Sequence, residues 1–312
     1  MTWIARILAV CGLVIVAWAL ITQLPGVVHG NPAYAVMLGL TVVGCLGALW
    51  LHRRRRPALH GWRRAGSIAL CAGAVGWLVA TWYFRPFSAQ EPALAAMQSD
   101  DDVRVTESAS RVVMEPADGS VADVGVFYQP GAKVEARAYA AVLRPLAESG
   151  YRVVIIKQPL GIAFLSLGAF TATQSEYPQT QAWVLGGHSL GGTVAAIQAD
   201  DHDEDASGPA KGLLLHASYP AGDISGSLSA DVLSVSGTND GLATPADIQA
   251  SVPNLPEGST FDAIEGAIHS YFGDYGPQPG DGQPTISHDE ARTLISNATV
   301  AFVSELSATL TQ

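Results

Sequence analysis

Three apolar runs open the chain. Residues 7–24, 33–51 and 65–84 carry almost no charge, and each matches the roughly 20 residues a helix needs to cross a bilayer's hydrocarbon. Trp3, Trp18, Trp50, Trp62, Trp77 and Trp82 mostly sit near the ends of these runs, where interfacial aromatics belong. The pattern then changes. Residues 86–102, including "EPALAAMQSDDD", are acidic and weakly patterned, and read as a stalk. Beyond them, short apolar stretches predict strands at 103–105, 111–114, 124–128, 151–156, 182–185, 212–215, 231–235 and 259–264. Helical spacing runs from Glu135 to Ser149 and from Thr193 to Ala199, and Ser287-His288-Asp289-Glu290 has the spacing of a capping box that opens a terminal helix. Strands alternating with helices predict a mostly parallel sheet with helices on both faces. The expected division is a membrane region (1–85), a stalk (86–102) and an α/β domain (103–312), with no internal repeat.

Charge adds a direction. Before Glu91 there is no Asp or Glu, yet eight of the 17 Lys and Arg lie there. The remainder carries nine basic against 28 acidic residues, a formal charge of −19, which argues against nucleic acid as a partner. The loop "HRRRRPALHGWRR" holds Arg53 to Arg56, Arg63 and Arg64, whereas "PGVVHGNP" holds no Lys or Arg. The positive-inside bias puts the arginine loop in the cytoplasm, so three spans leave the domain after Arg85 outside it. Cleavage within Ala17-Trp18-Ala19 would leave only two spans and conflict with that arrangement; retention of the first span is the reading adopted. All three cysteines (Cys11, Cys45, Cys71) lie in the apolar first quarter, so the domain has no disulfide framework. No Cys/His cluster suggests zinc, and the acidic run Asp200 to Asp205 lacks EF-type spacing and reads as a solvated loop. No metal or cofactor is expected.

Candidate chemistry centres on "WVLGGHSLGGTVAAIQA", where a β-branched run becomes a helical one through Gly187-His188-Ser189-Leu190-Gly191-Gly192. A nucleophile elbow needs small residues two before and two after its serine, and Gly187 and Gly191 supply them. The motif alone could equally be a plain βα turn. A serine hydroxyl also needs a base, and in this topology an acid and then a histidine should follow on loops after later strands. Asp240, in "SGTNDGLATP", and His269, in "EGAIHSYFGDYG", meet that order. Singly, Asp240 is a turn aspartate before glycine and His269 a surface histidine; together with Ser189 they form a triad in the right order. An oxyanion hole would use the N–H of Leu190 and one from "YQPGAK". Pro130 has no N–H, which leaves Gln129, Gly131 or Ala132, and Ala132 is the choice made. His188 reads as packing beside the turn, and His216 as pocket lining or core.

These residues resemble the α/β-hydrolase superfamily, and within it the small bacterial dienelactone-hydrolase-like branch. The likeness runs from about Val103 to the C-terminus, through "FYQPGAKVEARAYAAVLRPLAESGYRVV", "GGHSLGG", "SGTNDGLAT" and "AIHSYFGDYGPQPGDG". It implies an α/β-hydrolase fold, Ser189 as nucleophile, Asp240 as acid and His269 as base. The short stretch 217–230 leaves no room for a large lid. The function expected is a membrane-anchored serine hydrolase acting on small or exposed acyl esters through an acyl-enzyme. A non-catalytic envelope or signalling module, or a small serine peptidase or acyltransferase, are the alternatives.

Overall fold

The computed structural model describes residues 2–51 and 61–310, and the chain divides into two compact units, Met1–Pro86 and Phe87–Gln312. The described part of the first unit is helical: α1 (Thr2–His29), α2 (Pro32–Leu51) and α3 (Trp62–Tyr83). All three are long and apolar enough to cross a membrane, over Trp3–His29, Pro32–Leu51 and Ala65–Tyr83. α1 continues past Leu24 because it kinks at Gln23 (φ −142°, ψ 32°), which leaves Pro25 in the first turn of the next segment, where its missing N–H is harmless. Polar groups within the unit satisfy one another. Trp77 Nε1 donates to Thr41 Oγ1 and Tyr34 Oη to the Thr81 carbonyl, each at 2.8 Å. Arg53 to Arg56, on which the expected orientation rests, lie outside the described residues.

The second unit runs through α4 (Ala93–Ala96), β1 (Val103–Glu107), β2 (Arg111–Pro116), β3 (Val124–Gln129), α5 (Ala140–Glu148) and β4 (Arg152–Ile156). It continues through α6 (Ala169–Glu176), β5 (Ala182–His188), α7 (Leu190–His202), β6 (Ala210–His216), β7 (Asp231–Gly237), α8 (Pro245–Ser251), β8 (Thr260–Ile264) and α9 (His288–Leu310). The strands form one sheet in the order β1-β2-β4-β3-β5-β6-β7-β8. β1 and β2 pair antiparallel, as does β2 with β4, and every later pair is parallel.

The two-residue period of the strands divides the core. Val126, Tyr128, Val153, Ile155, Val184 and Leu214 pack in one cluster with Leu143 and Leu146 of α5 and Ile295 and Val303 of α9. Phe127, Val154, Trp183, Leu185 and Leu213 join the other, with Phe170 of α6 and Ala195, Ala196 and Ala199 of α7. Helices therefore cover both faces. The stretch 217–230 between β6 and β7 holds neither helix nor strand, so no large lid is inserted there. β8 is an open edge, exposed at four of its five residues.

Two helices escape the sequence patterning. α6 ("AFTATQSE") has little amphipathic contrast. α8 is a single short helix, although Thr244 and Asp247 form a reciprocal capping box in front of it. The expectation for residues 86–102 needs correction, because their first part is not a stalk. Phe87 bridges to Val134, the Ala89 N–H donates to Glu135 Oε2 at 2.9 Å, and Ala89 and Ala93 are buried. Leu94, Ala96 and Met97 pack on the core beside them. The run Asp100 to Asp102 at the end of the segment hid this apolar set.

Glu135 anchors the strap. Its side chain is fully buried, ion-paired with Arg137 and bonded to the Ala89 N–H. Removing one partner of a buried pair leaves the other charge uncompensated, at a cost of about 3–5 kcal/mol. Glu135→Ala should therefore lower the unfolding temperature and make residues 87–97 newly susceptible to limited proteolysis; an unchanged digestion pattern would show that the strap is held otherwise.

Candidate active site

Ser189 is the single residue between β5 and α7, with φ 52° and ψ −126°. A non-glycine residue there is strained, and persists only where its surroundings hold it. Its N–H donates to the His216 carbonyl at 3.0 Å, and its own carbonyl accepts from Ser218 Oγ at 2.6 Å and from Gly192 N–H at 3.0 Å. The glycines are a matter of space. A Cβ on Gly191 would overlap the carbonyl oxygens of Gln129 and Pro130, and one on Gly187 would overlap the Gly191 backbone. The first turn of α7 thus lies directly against the end of β3.

Asp240 follows β7 and His269 follows β8, and the structure brings these two together. His269 Nδ1 lies 2.8 Å from Asp240 Oδ2, with both side chains essentially fully buried. Asp240 Oδ1 accepts the N–H groups of Leu242 (2.7 Å) and Ala243 (2.8 Å). A carboxylate surrounded by donors acts as acceptor only, so Nδ1 of His269 carries the proton and Nε2 is left as the acceptor. That Nε2 is buried and has no hydrogen-bond partner among the described residues. No hydrogen bond joins it to Ser189, a contact that often tightens only when substrate is present. The tie from elbow to base is His188, whose ring centroid lies 4.5 Å from that of His269.

The loop after β3 narrows the choice of second backbone donor. The Gly131 N–H is taken by Tyr139 Oη at 2.8 Å, and the Lys133 N–H by the Gly161 carbonyl at 2.7 Å. Ala132 and Leu190 each keep a half-buried position, and their N–H groups have no partner among the described residues. Leu190 is one residue, and Ala132 two, from the contact of Gly191 with Gln129 and Pro130.

Residues 125–293 match the family model for the alpha/beta hydrolase family. The chain belongs to the α/β-hydrolase family. Among solved structures, Est1E from Butyrivibrio proteoclasticus is 13% identical, with TM-score 0.48, and the match covers 66% of this chain and 99% of that one. A thermophilic esterase from Thermogutta terrifontis is 15% identical, with TM-score 0.45 and coverage of 66% and 94%. TT1662 from Thermus thermophilus is 15% identical, with TM-score 0.47 and coverage of 66% and 98%. No curated protein matches the chain.

Around this α/β-hydrolase site runs a buried polar network that sequence reasoning missed. Tyr139 Oη, which accepts from Gly131, also shares a hydrogen bond with His188 Nδ1 at 2.9 Å. Gln158 Nε2 donates to the Pro130 carbonyl and to Gln129 Oε1, each at 2.9 Å, and Gln129 Nε2 donates to Gln198 Oε1 at 3.1 Å. The Pro130–Gly131 peptide is thus held at both its C=O and its N–H. Tyr139 carried only helical spacing in the sequence, and an isolated glutamine gives no signal. The acidic run Asp200 to Asp205 is also less solvated than expected, since Asp203 is buried and accepts from the Ser229 N–H.

His216 belongs to the core. Its Nδ1 lies 2.9 Å from Tyr128 Oη and its Nε2 3.0 Å from Thr299 Oγ1. Thr299 spends its own proton on the Ile295 carbonyl, so Nε2 of His216 must donate and Nδ1 accept. Burial pushes the His216 imidazole down to about 3. Burial, followed by the neighbouring His269 and His216, holds His188 well below the ordinary histidine range. Both rings are neutral in the folded state, whereas the unfolded chain takes up their protons below a pH of about 6.5. Stability is therefore full above that pH and falls below it, by about 1.4 kcal/mol per pH unit for each ring. Thermal unfolding between about pH 7 and about pH 5 should show this loss, with a shallower slope in His216→Gln. A slope unchanged by that substitution would mean that His216 is protonated in the fold.

Proposed function

We propose that this α/β-hydrolase is a membrane-anchored serine hydrolase that cleaves carboxylic esters or related acyl bonds. The observation that carries the reading is the buried His269–Asp240 hydrogen bond of 2.8 Å, with the Nε2 of His269 left without a partner among the described residues. It is supported by Ser189 standing in a strained conformation at the carboxyl end of a central strand, where ligands of parallel sheets bind. In this mechanism His269 Nε2 takes the Ser189 hydroxyl proton as Oγ attacks the acyl carbon. The N–H groups of Leu190 and Ala132 receive the developing oxyanion. His269 then passes the proton to the departing alkoxide, leaving the acyl group on Ser189. Water attacks that ester with His269 again as base, and the acid and free serine are released. Asp240 fixes the tautomer and stabilises the imidazolium. The resemblance to the dienelactone-hydrolase-like branch points to small acyl substrates, and no cofactor or metal enters any step.

Ser189→Ala should cut p-nitrophenyl acetate hydrolysis by at least about 10⁴-fold and abolish labelling by a fluorophosphonate probe, with the fold intact. Asp240→Asn should keep KM and lose most of kcat. Turnover by folded Ser189→Ala at the wild-type rate would remove Ser189 from the reaction.

The three apolar helices and the arginine loop support a multi-pass anchor with the catalytic unit outside the cytoplasm. Alkaline phosphatase fused after Gln312 should be active, and a reporter that folds only in the cytoplasm should be silent; the reverse pattern would invert the topology.

A further inference from the structure

The base of the proposed triad sits on a slender support. His269 begins a four-residue 3₁₀ turn, His269–Phe272, preceded by Ile268 in extended conformation. The first N–H groups of such a turn have no partner within it. Here a distant carboxylate receives them. Asp281 Oδ1 accepts the His269 N–H at 3.1 Å and the Gly282 N–H at 2.7 Å, and Oδ2 accepts the Ser270 N–H at 2.8 Å. Oδ1 also lies 3.4 Å from the N–H of Gly241, next to the triad acid. The same three loops meet backbone to backbone. A Cβ on Gly241 would lie 2.7 Å from the Gly280 carbonyl oxygen, and Asn239 Nδ2 donates to the Gln283 carbonyl at 2.9 Å.

We propose that Asp281 is a positioning residue of the hydrolytic site, whose carboxylate sets the placement of His269 against Asp240 by holding the main chain of both loops. The inference rests on the triad reading above. Asp281 touches neither the reacting atoms nor the imidazole ring, and acts through the backbone that carries them. The single bond from His269 Nδ1 to Asp240 is a pivot, which leaves the ring free to swing if the main chain at 268–270 shifts. Charge-assisted bonds to His269 and Ser270 remove that freedom. Displacing a catalytic group by about 1 Å can cost on the order of 10²-fold in rate, so the carboxylate acts on turnover more than on binding.

The test compares the full-length protein in detergent with its Asp281→Ala, Asp281→Asn and Ser189→Ala variants. Active sites are titrated with a fluorophosphonate, kcat and KM are measured per titrated site on p-nitrophenyl acetate, and the downfield proton of the His269–Asp240 hydrogen bond is followed by NMR. Asp281→Ala should label at Ser189 slowly but to completion, and should lose on the order of 10²-fold in kcat with little change in KM. Its downfield proton should broaden or vanish, whereas Ser189→Ala should keep that proton and take no label. Asp281→Asn preserves size and one acceptor oxygen, so it should fall between wild type and Asp281→Ala, and it serves alone if the alanine variant does not fold. Wild-type kcat per site and an unchanged downfield proton in the folded variants would overturn the proposal, even if their unfolding temperature drops, because Asp281 would then be only a brace. A wild-type protein that takes no label would overturn the serine-hydrolase reading itself, a result distinct from labelled variants that behave as wild type.

Discussion

The architecture of the site depends on one close approach, that of the first turn of α7 to the end of β3. Only a residue without a side chain fits at Gly191, because the Gln129 and Pro130 carbonyls occupy the place of its Cβ. That approach sets Leu190 and Ala132 on either side of one contact and forces the turn at Ser189 to be sharp enough to need a positive φ. The strain at Ser189 is carried by the bonds that its main chain makes to His216, Ser218 and Gly192. The sheet contributes by being rigid. β5 is paired along its length with β3 on one side and β6 on the other, so its last residues have little freedom to relax.

Beneath the elbow the protein keeps titratable groups uncharged. His188, His216 and three buried tyrosines (Tyr128, Tyr139 and Tyr275) crowd the region, and burial pushes the phenols up while it pushes these two imidazoles down. A neutral His188 matters for any chemistry at His269. Their rings lie tilted at 45° with centroids 4.5 Å apart, and a cation on the first would oppose a cation on the second. Tyr139 Oη is hydrogen-bonded to His188 Nδ1 while it accepts from the Gly131 N–H. A single phenol therefore links the ring beside the base to the loop that faces the elbow.

Much of this was legible in the sequence because its cause is local. Glycines flanking Ser189, an alternation of strands and helices, and the order of Ser189, Asp240 and His269 are each visible in short windows. The contacts that brace these residues are not, since each joins partners distant along the chain. Tyr139 and His188 are 49 positions apart, Gln158 and Pro130 are 28 apart, and Asp281 reaches back 12 to His269. No periodicity encodes such pairs. The strap at residues 87–97 escapes the sequence pattern for a related reason. Its apolar residues are mostly alanines without strong periodicity, and its anchors lie far along the chain, among them the Glu135 carboxylate, some 46 positions on from Ala89.

The open edge at β8 has a bearing on how the domain behaves among its own copies. A free edge offers unpaired N–H and C=O groups to any extended chain that meets it, which makes it a template for aggregation. β8 is short and carries Asp262 at its centre, with Glu265 just beyond its end. A strand adding there would have to accept a carboxylate at mid-length, and a second copy would bring carboxylates of its own. At the opposite edge β1 reads Val-Arg-Val-Thr-Glu, with Arg104 tied to Glu115 on the neighbouring strand. The outward N–H groups of Val103 and Val105 on β1 are in turn taken by Asp100 Oδ1 and Ser99 Oγ, each at 2.9 Å, so one end of the sheet is guarded by charge and the other is also covered, which keeps an eight-stranded sheet from growing into a longer one.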